Sequence, residues 1–169
     1  MDDIPSNSKV LILGGGTGKI LPHLKECRVV YVEKSGKMLD RASKKSAMDS
    51  VEFVNVDFLD WKINQQFDLV ICPFFLDVFT SKNLSLVVEK IAALTAEGGT
   101  LIITDFQDTG RPYHQMMLLV MHVFFRIFSN LESRKLGDIE NAVLRSGYEM
   151  ISRRTFHKEL VFSAVYQRQ

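Results

Sequence analysis

Residues 10–21 read VLILGGGTGKIL, and this stretch decides the fold. Apolar residues lead into Gly14, and glycine fills four of the five positions from Gly14 to Gly18. A buried strand, a glycine turn and a helix start are typical of the place where an α/β protein binds a ligand. Glycine permits positive φ and close approach of a ligand, and a helix N-terminus offers unpaired N–H groups to an anion. Three ligands fit this pattern: a nucleotide triphosphate, a dinucleotide or a nucleoside-bearing cofactor.

The composition is that of an ordinary globular protein. The chain has 169 residues, of which 46% are hydrophobic and 24% charged, and a formal net charge of +1. This length predicts a single domain over residues 1–169, and the small charge argues against nucleic acid as a partner. The two distant cysteines and the unpatterned histidines predict neither a disulfide nor a metal site. Without a basic leader or an apolar run long enough for a bilayer, we expect a cytoplasmic protein with no membrane span.

Strand-like and helix-like segments alternate along most of the chain. Apolar and β-branched runs predict strands at 9–13, 28–32, 51–56, 67–72 and 100–104. Helical spacing predicts helices from the glycine turn to about residue 26 and over 36–47, 84–94 and 134–145. Ser35 is the expected N-cap of the second helix, and Gly98-Gly99 is the expected stop of the third.

The end of the chain departs from this alternation. Two strand-like runs, 148–156 and 159–166, predict an antiparallel hairpin with a turn of two residues or one residue more. Together the segments predict an α/β fold with a Rossmann-like doubly wound sheet, mostly parallel, that ends in an antiparallel C-terminal β-hairpin. Such an ending is unusual for a dinucleotide dehydrogenase.

The spacing of the glycines separates the three ligands. A P-loop needs G-x-x-x-x-G-K-[ST], but counting back from Gly18-Lys19 puts Leu13 at the first glycine, and Ile20 replaces the hydroxyl. A dinucleotide turn needs G-x-G-x-x-G, and lysine stands at its third glycine position. The pattern that fits is G-x-G-x-G, on Gly14, Gly16 and Gly18.

In chain order, the motifs resemble those of class I S-adenosylmethionine-dependent methyltransferases. VLILGGGTG resembles the first cofactor motif, VVYVEKSGKML the second and VEFVNVDFLDW the third. FDLVICPFFLDVF resembles the strand-four motif and GGTLIITDF the strand-five motif, and the terminal hairpin matches the usual end of the fold. The resemblance covers most of the chain. It implies S-adenosyl-L-methionine as the cofactor and methyl transfer to a small-molecule acceptor.

The resemblance also implies the cofactor-binding residues. Glu33 lies 19 residues after Gly14 and takes both ribose hydroxyls, and Asp57 meets the adenine amino group. Other roles stay open: Glu33 as a solvated charge, Asp57 as the N-cap of a helix over 58–62, and Phe58 and Trp61 as core residues. The implied cofactor-binding set is Gly14, Gly15, Gly16, Gly18, Glu33, Lys34, Met38, Asp57, Phe58 and Pro73.

Few residues are candidates for catalysis, since the cofactor carries the reactive group and the protein mainly aligns the acceptor. Asp77, Asp105 and His114 follow the fourth and fifth strands and could act as a base, with capping or solvated roles as the alternative. The tetrapeptide at 72–75, CPFF, departs from the Asp/Asn/Ser-Pro-Pro-Tyr/Phe of methyltransferases acting on nucleic-acid amino groups. Its phenylalanines either wall the methyl site or belong to the core.

Three features leave rival functions open. Ile12 stands where many family members carry an acid that holds the amino-acid end of the cofactor. The first strand begins near residue 9, so we expect part of the substrate cover to be absent or supplied by another chain. Segment 113–129 is apolar nearly all round, which predicts a buried helix, a contact to a second copy or partner chain, or a cover for an apolar acceptor. The rivals are a non-catalytic or partner-dependent methyltransferase-like binding module and, less favoured, an NAD-dependent oxidoreductase.

Overall fold

The strands of this chain form one mostly parallel sheet. The computed structural model describes residues 4–24, 26–46, 48–107 and 139–169. Its strands are β1 Lys9–Leu13, β2 Arg28–Val32, β3 Val51–Val54, β4 Phe67–Pro73, β5 Thr95–Phe106, β6 Tyr148–Phe156 and β7 Val161–Arg168. Within the described ranges these seven strands pair in the order β3-β2-β1-β4-β5-β7-β6. The strands β1 to β5 pair with one another in parallel, and β7 is antiparallel to β5 and β6, which confirms the predicted fold class.

Both faces of the sheet are covered. The described helices are α1 Gly36–Lys45, α2 Ser81–Leu94 and α3 Ile139–Arg145. Alternate residues of β1 and β2 belong to two separate apolar clusters, one shared with α2 and α3 and the other with Ala42 of α1. A strand that is buried on both faces needs apolar side chains at successive positions, which explains the continuous runs at 10–13 and 29–32.

The chain returns from β1 to β2 through a short 3₁₀ turn, Leu21–His23, so the predicted helix to residue 26 is wrong. Residues 19–27 must cover the length of a five-residue strand, about 17 Å, whereas nine helical residues rise only about 14 Å. The connection therefore has no room for a regular helix and its turns. The helix N-terminus that the sequence offered to an anion is consequently missing from this site.

The passage from α2 to β5 also differs from the prediction. The helix ends at Leu94 and the strand starts at Thr95, so Gly98-Gly99 lies inside β5 and does not stop the helix. The hydroxyl of Thr95 donates to the carbonyl of Ile91 at 2.9 Å, which satisfies one carbonyl of the last helical turn. The register with β4 then shifts, and Gly98 has a φ of +69°. The glycines thus serve an irregularity within a strand.

The C-terminal hairpin has a longer turn than predicted. Four residues, 157–160, connect β6 to β7, and His157, Lys158 and Glu159 all have positive φ. The predicted turn of two residues, or of one residue more, is therefore wrong. Helix α3 ends at Arg145, before Gly147, as predicted, and Gly147 has a φ of +85°. Residues 134–138 of the predicted helix lie outside the described residues.

Candidate cofactor site

Gly14, Gly15 and Gly18 are required by packing inside the protein. A Cβ on Gly14 would lie 2.7 Å from the ring of Phe75, and one on Gly15 would lie 2.4 Å from the ring of Tyr31. A Cβ on Gly18 would meet the α1 helix at 3.0 Å. Gly14 and Gly18 also have positive φ, 68° and 75°. These three glycines let the turn lie directly on the strands and on α1.

Gly16 differs from these three glycines, because none of the described residues occupies the space beside it. Apart from Gly16 and its chain neighbours, no atom of the described residues lies within 4 Å of the place where its Cβ would be, and its φ is +61°. Its N–H donates to Glu33 Oε2 at 3.0 Å, and its carbonyl accepts from the Tyr31 hydroxyl at 3.1 Å. The side chains of Tyr31 and Glu33 therefore fix both polar backbone groups of Gly16, which among the described residues is the one glycine of the 14–18 turn with an open side.

The Glu33 carboxylate is oriented before any ligand binds. Its second oxygen, Oε1, accepts the N–H of Ser35 at 2.8 Å. A carboxylate oxygen has two lone-pair sites, so each oxygen of Glu33 keeps one site after accepting its backbone N–H. The half-buried carboxylate can thus accept two hydroxyl hydrogens, one on each oxygen, without losing either bond.

Lys34 and Asp57 form an ion pair beside this carboxylate. The ammonium of Lys34 lies 2.8 Å from Asp57 Oδ2, and Asp57 Oδ1 accepts the N–H of Leu59 at 3.0 Å. Burial raises the pKa of Asp57, but the Lys34 hydrogen bond and charge and the Leu59 N–H outweigh it, so the pKa lies below its usual value. The Asn55 amide donates to the carbonyls of Glu33 and Lys34 at 2.8 and 3.0 Å, which joins the ends of β2 and β3.

Asp57 is the first residue of a tight turn at 57–61. The sequence had left two roles open for Asp57, a cofactor contact and the N-cap of a helix over 58–62. The carbonyl of Asp57 accepts the N–H groups of Asp60 and Trp61, both at 3.0 Å. Phe58 is only 3% exposed and Trp61 9%, and both belong to the apolar core. Their rings lie in the core, whereas the Asp57 carboxylate is at the surface of the turn.

The loop after β4 brings aromatic side chains to the carboxyl ends of the strands. Phe74 has a φ of +53°, which is unusual for a bulky residue, and its N–H donates to the carbonyl of Thr104 at 2.6 Å. Its ring is 40% exposed and lies 4.7 Å from the ring of Phe106. Phe75 turns inward, against Gly14 and 5.8 Å from Phe58. Pro73, at the end of β4, is half-buried.

Asp105 holds this loop. Its fully buried carboxylate accepts the N–H groups of Leu76, Asp77 and Phe106 at 2.9, 3.2 and 2.9 Å. Burial and the charge of Asp77 raise the pKa of Asp105 well above its usual value, and the three N–H donors offset only part of this. Positioning of the loop is the role that this geometry supports. Proton transfer by Asp77 or Asp105 stays a prediction.

The remaining predicted residues lie on α1, on β1 or outside the described part of the chain. Met38 is half-buried on α1, and its N–H donates to the N-cap Ser35 at 3.4 Å, as the capping prediction requires. Ile12 is fully buried. His114 and segment 113–129 lie outside the described residues. Among the described residues, no group of His, Cys, Asp and Glu could hold a metal ion, and no helix is long and apolar enough to cross a membrane.

The comparison with protein families decides the classification. A family model described as methyltransferase domain matches residues 10–99, which is more than half of the chain. The chain belongs to the methyltransferase domain family. The match begins in β1 and ends within β5, so it contains the glycine turn, Glu33 and Asp57. No curated protein sequence matches this methyltransferase-family chain.

Solved structures share its fold at low sequence identity. One is a chain in the complex between the Haloferax volcanii Trm112 methyltransferase activator and a methyltransferase: TM-score 0.76, 15% identity, covering 98% of this chain and 84% of the other. Another is the S-adenosylmethionine-dependent methyltransferase of Mesorhizobium loti: TM-score 0.75, 17% identity, 98% and 94% covered. A third is magnesium protoporphyrin IX methyltransferase from Synechocystis with bound S-adenosylmethionine: TM-score 0.70, 17% identity, 99% and 73% covered.

These comparisons confirm the predicted methyltransferase fold, and with the ligand-bound neighbours they support S-adenosylmethionine as the cofactor. Sequence reasoning did not find Tyr31, Asn55 or the role of Asp105. Tyr31 had a signal, since it is the one aromatic residue in the β-branched run RVVYV, two positions before Glu33. Asn55 had a weaker one, two residues before Asp57.

Proposed function

We propose that this methyltransferase-family chain transfers a methyl group from S-adenosylmethionine to a small-molecule acceptor. The observation that carries the proposal is the hydrogen bond between the Gly16 N–H and the Glu33 carboxylate. The open glycine and the acid meet through a 3.0 Å hydrogen bond, and the acid retains an acceptor site on each oxygen. A ligand that presents two neighbouring hydroxyls next to a group approaching the turn fits this arrangement, and a nucleoside cofactor does so.

We assign the binding roles as follows. Glu33 binds the ribose hydroxyls, the glycine turn lies against the amino-acid end of the cofactor, and Asp57 accepts from the adenine amino group. The bound cofactor supplies an electrophilic methyl group on its sulfonium. The chain orients the cofactor and excludes water, and it holds the acceptor in line with the methyl group.

We place the acceptor at the carboxyl ends of β4 and β5. Support comes from the exposed ring of Phe74, which lies beside Phe106 on a loop that also touches the glycine turn through Phe75. The strained φ of Phe74 is kept by its bond to Thr104, and such strain often marks a functional position. The net charge of +1 favours a small acceptor over a nucleic acid.

Ligand titration tests the cofactor assignment. Isothermal titration and thermal shift of the full chain should show binding of S-adenosylmethionine and S-adenosylhomocysteine, but not of NAD or ATP. Incubation with S-adenosylmethionine labelled in its methyl group and a low-molecular-weight cell extract should then yield a labelled small molecule. Stabilisation by NAD alone would overturn the proposal in favour of an oxidoreductase.

A partner-dependent methyltransferase or binding module is the second candidate. Phe74, Ile151 and Phe156 are 40%, 56% and 47% exposed and could contact a partner chain, and one structural neighbour comes from a complex with a methyltransferase activator. This candidate predicts cofactor binding without methyl transfer by the chain alone. Methyl transfer by the purified chain alone would contradict it.

A further inference from the structure

Lys90 of α2 binds the backbone carbonyls of the turn at 57–61. Its ammonium donates to three backbone carbonyls, those of Phe58 at 2.6 Å, Leu59 at 3.0 Å and Trp61 at 2.5 Å. It also lies 4.8 Å from the centre of the Phe58 ring. An ammonium has three N–H donors, so the bonds to these three carbonyls complete the hydrogen bonding of Lys90.

The chemistry of the turn explains why a cation is needed there. Carbonyls at the end of a helical turn have no partners within it and carry partial negative charge. The turn has no following helix that could satisfy these groups, and part of it is buried in the core. Burial lowers the pKa of Lys90 below its usual value, and the negative charges of Asp60 and Asp57 offset only part of this.

The turn also carries the Asp57 carboxylate. One Asp57 oxygen accepts the N–H of Leu59, and the Asp57 carbonyl accepts from Asp60 and Trp61. Lys90 binds the opposite, carbonyl side of the same residues. Asp57 is therefore fixed by a turn that is itself held by a side chain about thirty residues away in sequence.

We propose that Lys90 is a positioning residue for adenine recognition, because it fixes the 57–61 turn and so the acceptor atoms of Asp57. This rests on the proposed function, in which Asp57 accepts from the amino group at purine C6. An acid in a fixed position discriminates strongly between an amino group, which donates to it, and a carbonyl oxygen, which repels it. Without Lys90 the cofactor can still bind through Glu33 and the glycine turn, but the preference for adenine is reduced.

The first test uses the single tryptophan of the chain. Trp61 is the only tryptophan and lies in the turn itself, so its fluorescence reports on the turn. We expect Lys90→Met to shift the Trp61 emission to longer wavelength and to increase quenching by acrylamide, with unchanged far-ultraviolet circular dichroism. Lys82→Met, the same change at an exposed position of the same helix, should leave both unchanged. An unaltered Trp61 signal in Lys90→Met would overturn the proposal.

The second test measures base discrimination. Isothermal titration compares S-adenosylhomocysteine with S-inosylhomocysteine, in which a carbonyl replaces the purine amino group. We expect the wild-type chain to prefer the adenosyl compound by about tenfold or more and Lys90→Met to lose most of this preference. Asp57→Asn should also lose it, and Lys90→Met should add little in that background, since the two changes act through one contact.

The outcomes separate this proposal from the proposed function. A wild-type chain that binds S-adenosylhomocysteine, with an unchanged preference in Lys90→Met, would overturn the role of Lys90 and leave the cofactor assignment standing. A wild-type chain that binds neither compound would overturn both. If Lys90→Met does not fold, Lys90→Gln replaces it, because glutamine keeps a shorter, neutral hydrogen-bond donor. We expect Lys90→Gln to give smaller changes in the same direction. No change in the Trp61 fluorescence or in the base preference would again refute the role of Lys90.

Discussion

Replacement of Glu33 by alanine removes the carboxylate that connects the end of β2 to the glycine turn. The N–H groups of Gly16 and Ser35 lose their carboxylate partner, and a bound ribose would lose both of its acceptors. Both N–H groups are near the surface, so water can replace the carboxylate in the free protein. In the complex the ligand occupies this space. We therefore expect the cofactor affinity to suffer more than the stability of the fold.

The size of each effect follows from the bonds that are lost. Hydrogen bonds to a charged group contribute about 1.5–3 kcal/mol, so the Kd for S-adenosylhomocysteine should rise roughly 10- to 150-fold. The free energy of unfolding should fall by about 1 kcal/mol, because the two N–H bonds are exchanged for bonds to water. In a domain of this size, that corresponds to a decrease in Tm of about 2–4 °C.

Isothermal titration and thermal unfolding measure the two quantities on the same sample. Glu52→Ala is the matched control, because Glu52 is an exposed acid on the neighbouring strand β3. We expect the control to match the wild-type chain in both measurements. A folded Glu33→Ala variant with a Kd within twofold of the wild type would refute the ribose assignment.

The remaining predictions concern stability. Tyr31→Phe should lower the free energy of unfolding by about 1 kcal/mol in urea titrations, because the Tyr31 hydroxyl bonds Gly16; Tyr166→Phe, whose buried hydroxyl has no hydrogen-bond partner among the described residues, should cost nothing. Gly15→Ala should cost about 1–3 kcal/mol in the same assay, since its Cβ would lie 2.4 Å from the Tyr31 ring, and a stability equal to wild type would contradict that packing. Asp105 has a raised pKa from burial and from Asp77, so its contribution to stability is present at low pH and is lost as the pH rises from about 4 through the raised pKa. Asp105→Asn should therefore flatten that part of the profile of unfolding free energy against pH, and parallel profiles would contradict the shift.

The bounds of β1 and β2 followed from local sequence, whereas β5 is longer at both ends than the strand predicted at 100–104. The run at 28–32 was predicted residue for residue, because β-branched side chains on both faces of a buried strand end at a polar residue, Glu33. The N-cap at Ser35 was also correct, because capping depends on a side chain and a backbone N–H only three residues apart.

Other elements depend on distances that local sequence does not contain. The prediction of a helix after the glycine turn was wrong because residues 19–27 must cover the length of β1. This requirement can be recognised only when the bounds of the strands are known. Gly98-Gly99 signals a helix stop and a strand irregularity equally well, and the choice depended on pairing with β4. Lys90 was not predictable at all, since its role depends on α2 crossing the 57–61 turn.

The two side-chain hydrogen bonds of Gly16 have a consequence for the rate of cofactor binding. Because its N–H and its carbonyl are both bonded to side chains of the β2 segment, the open part of the glycine turn moves with the central sheet and not as a separate loop. An incoming cofactor then meets a surface that is already formed and has little backbone to order. The observed association rate should increase linearly with cofactor concentration, without the plateau that a slow opening or closing step would impose.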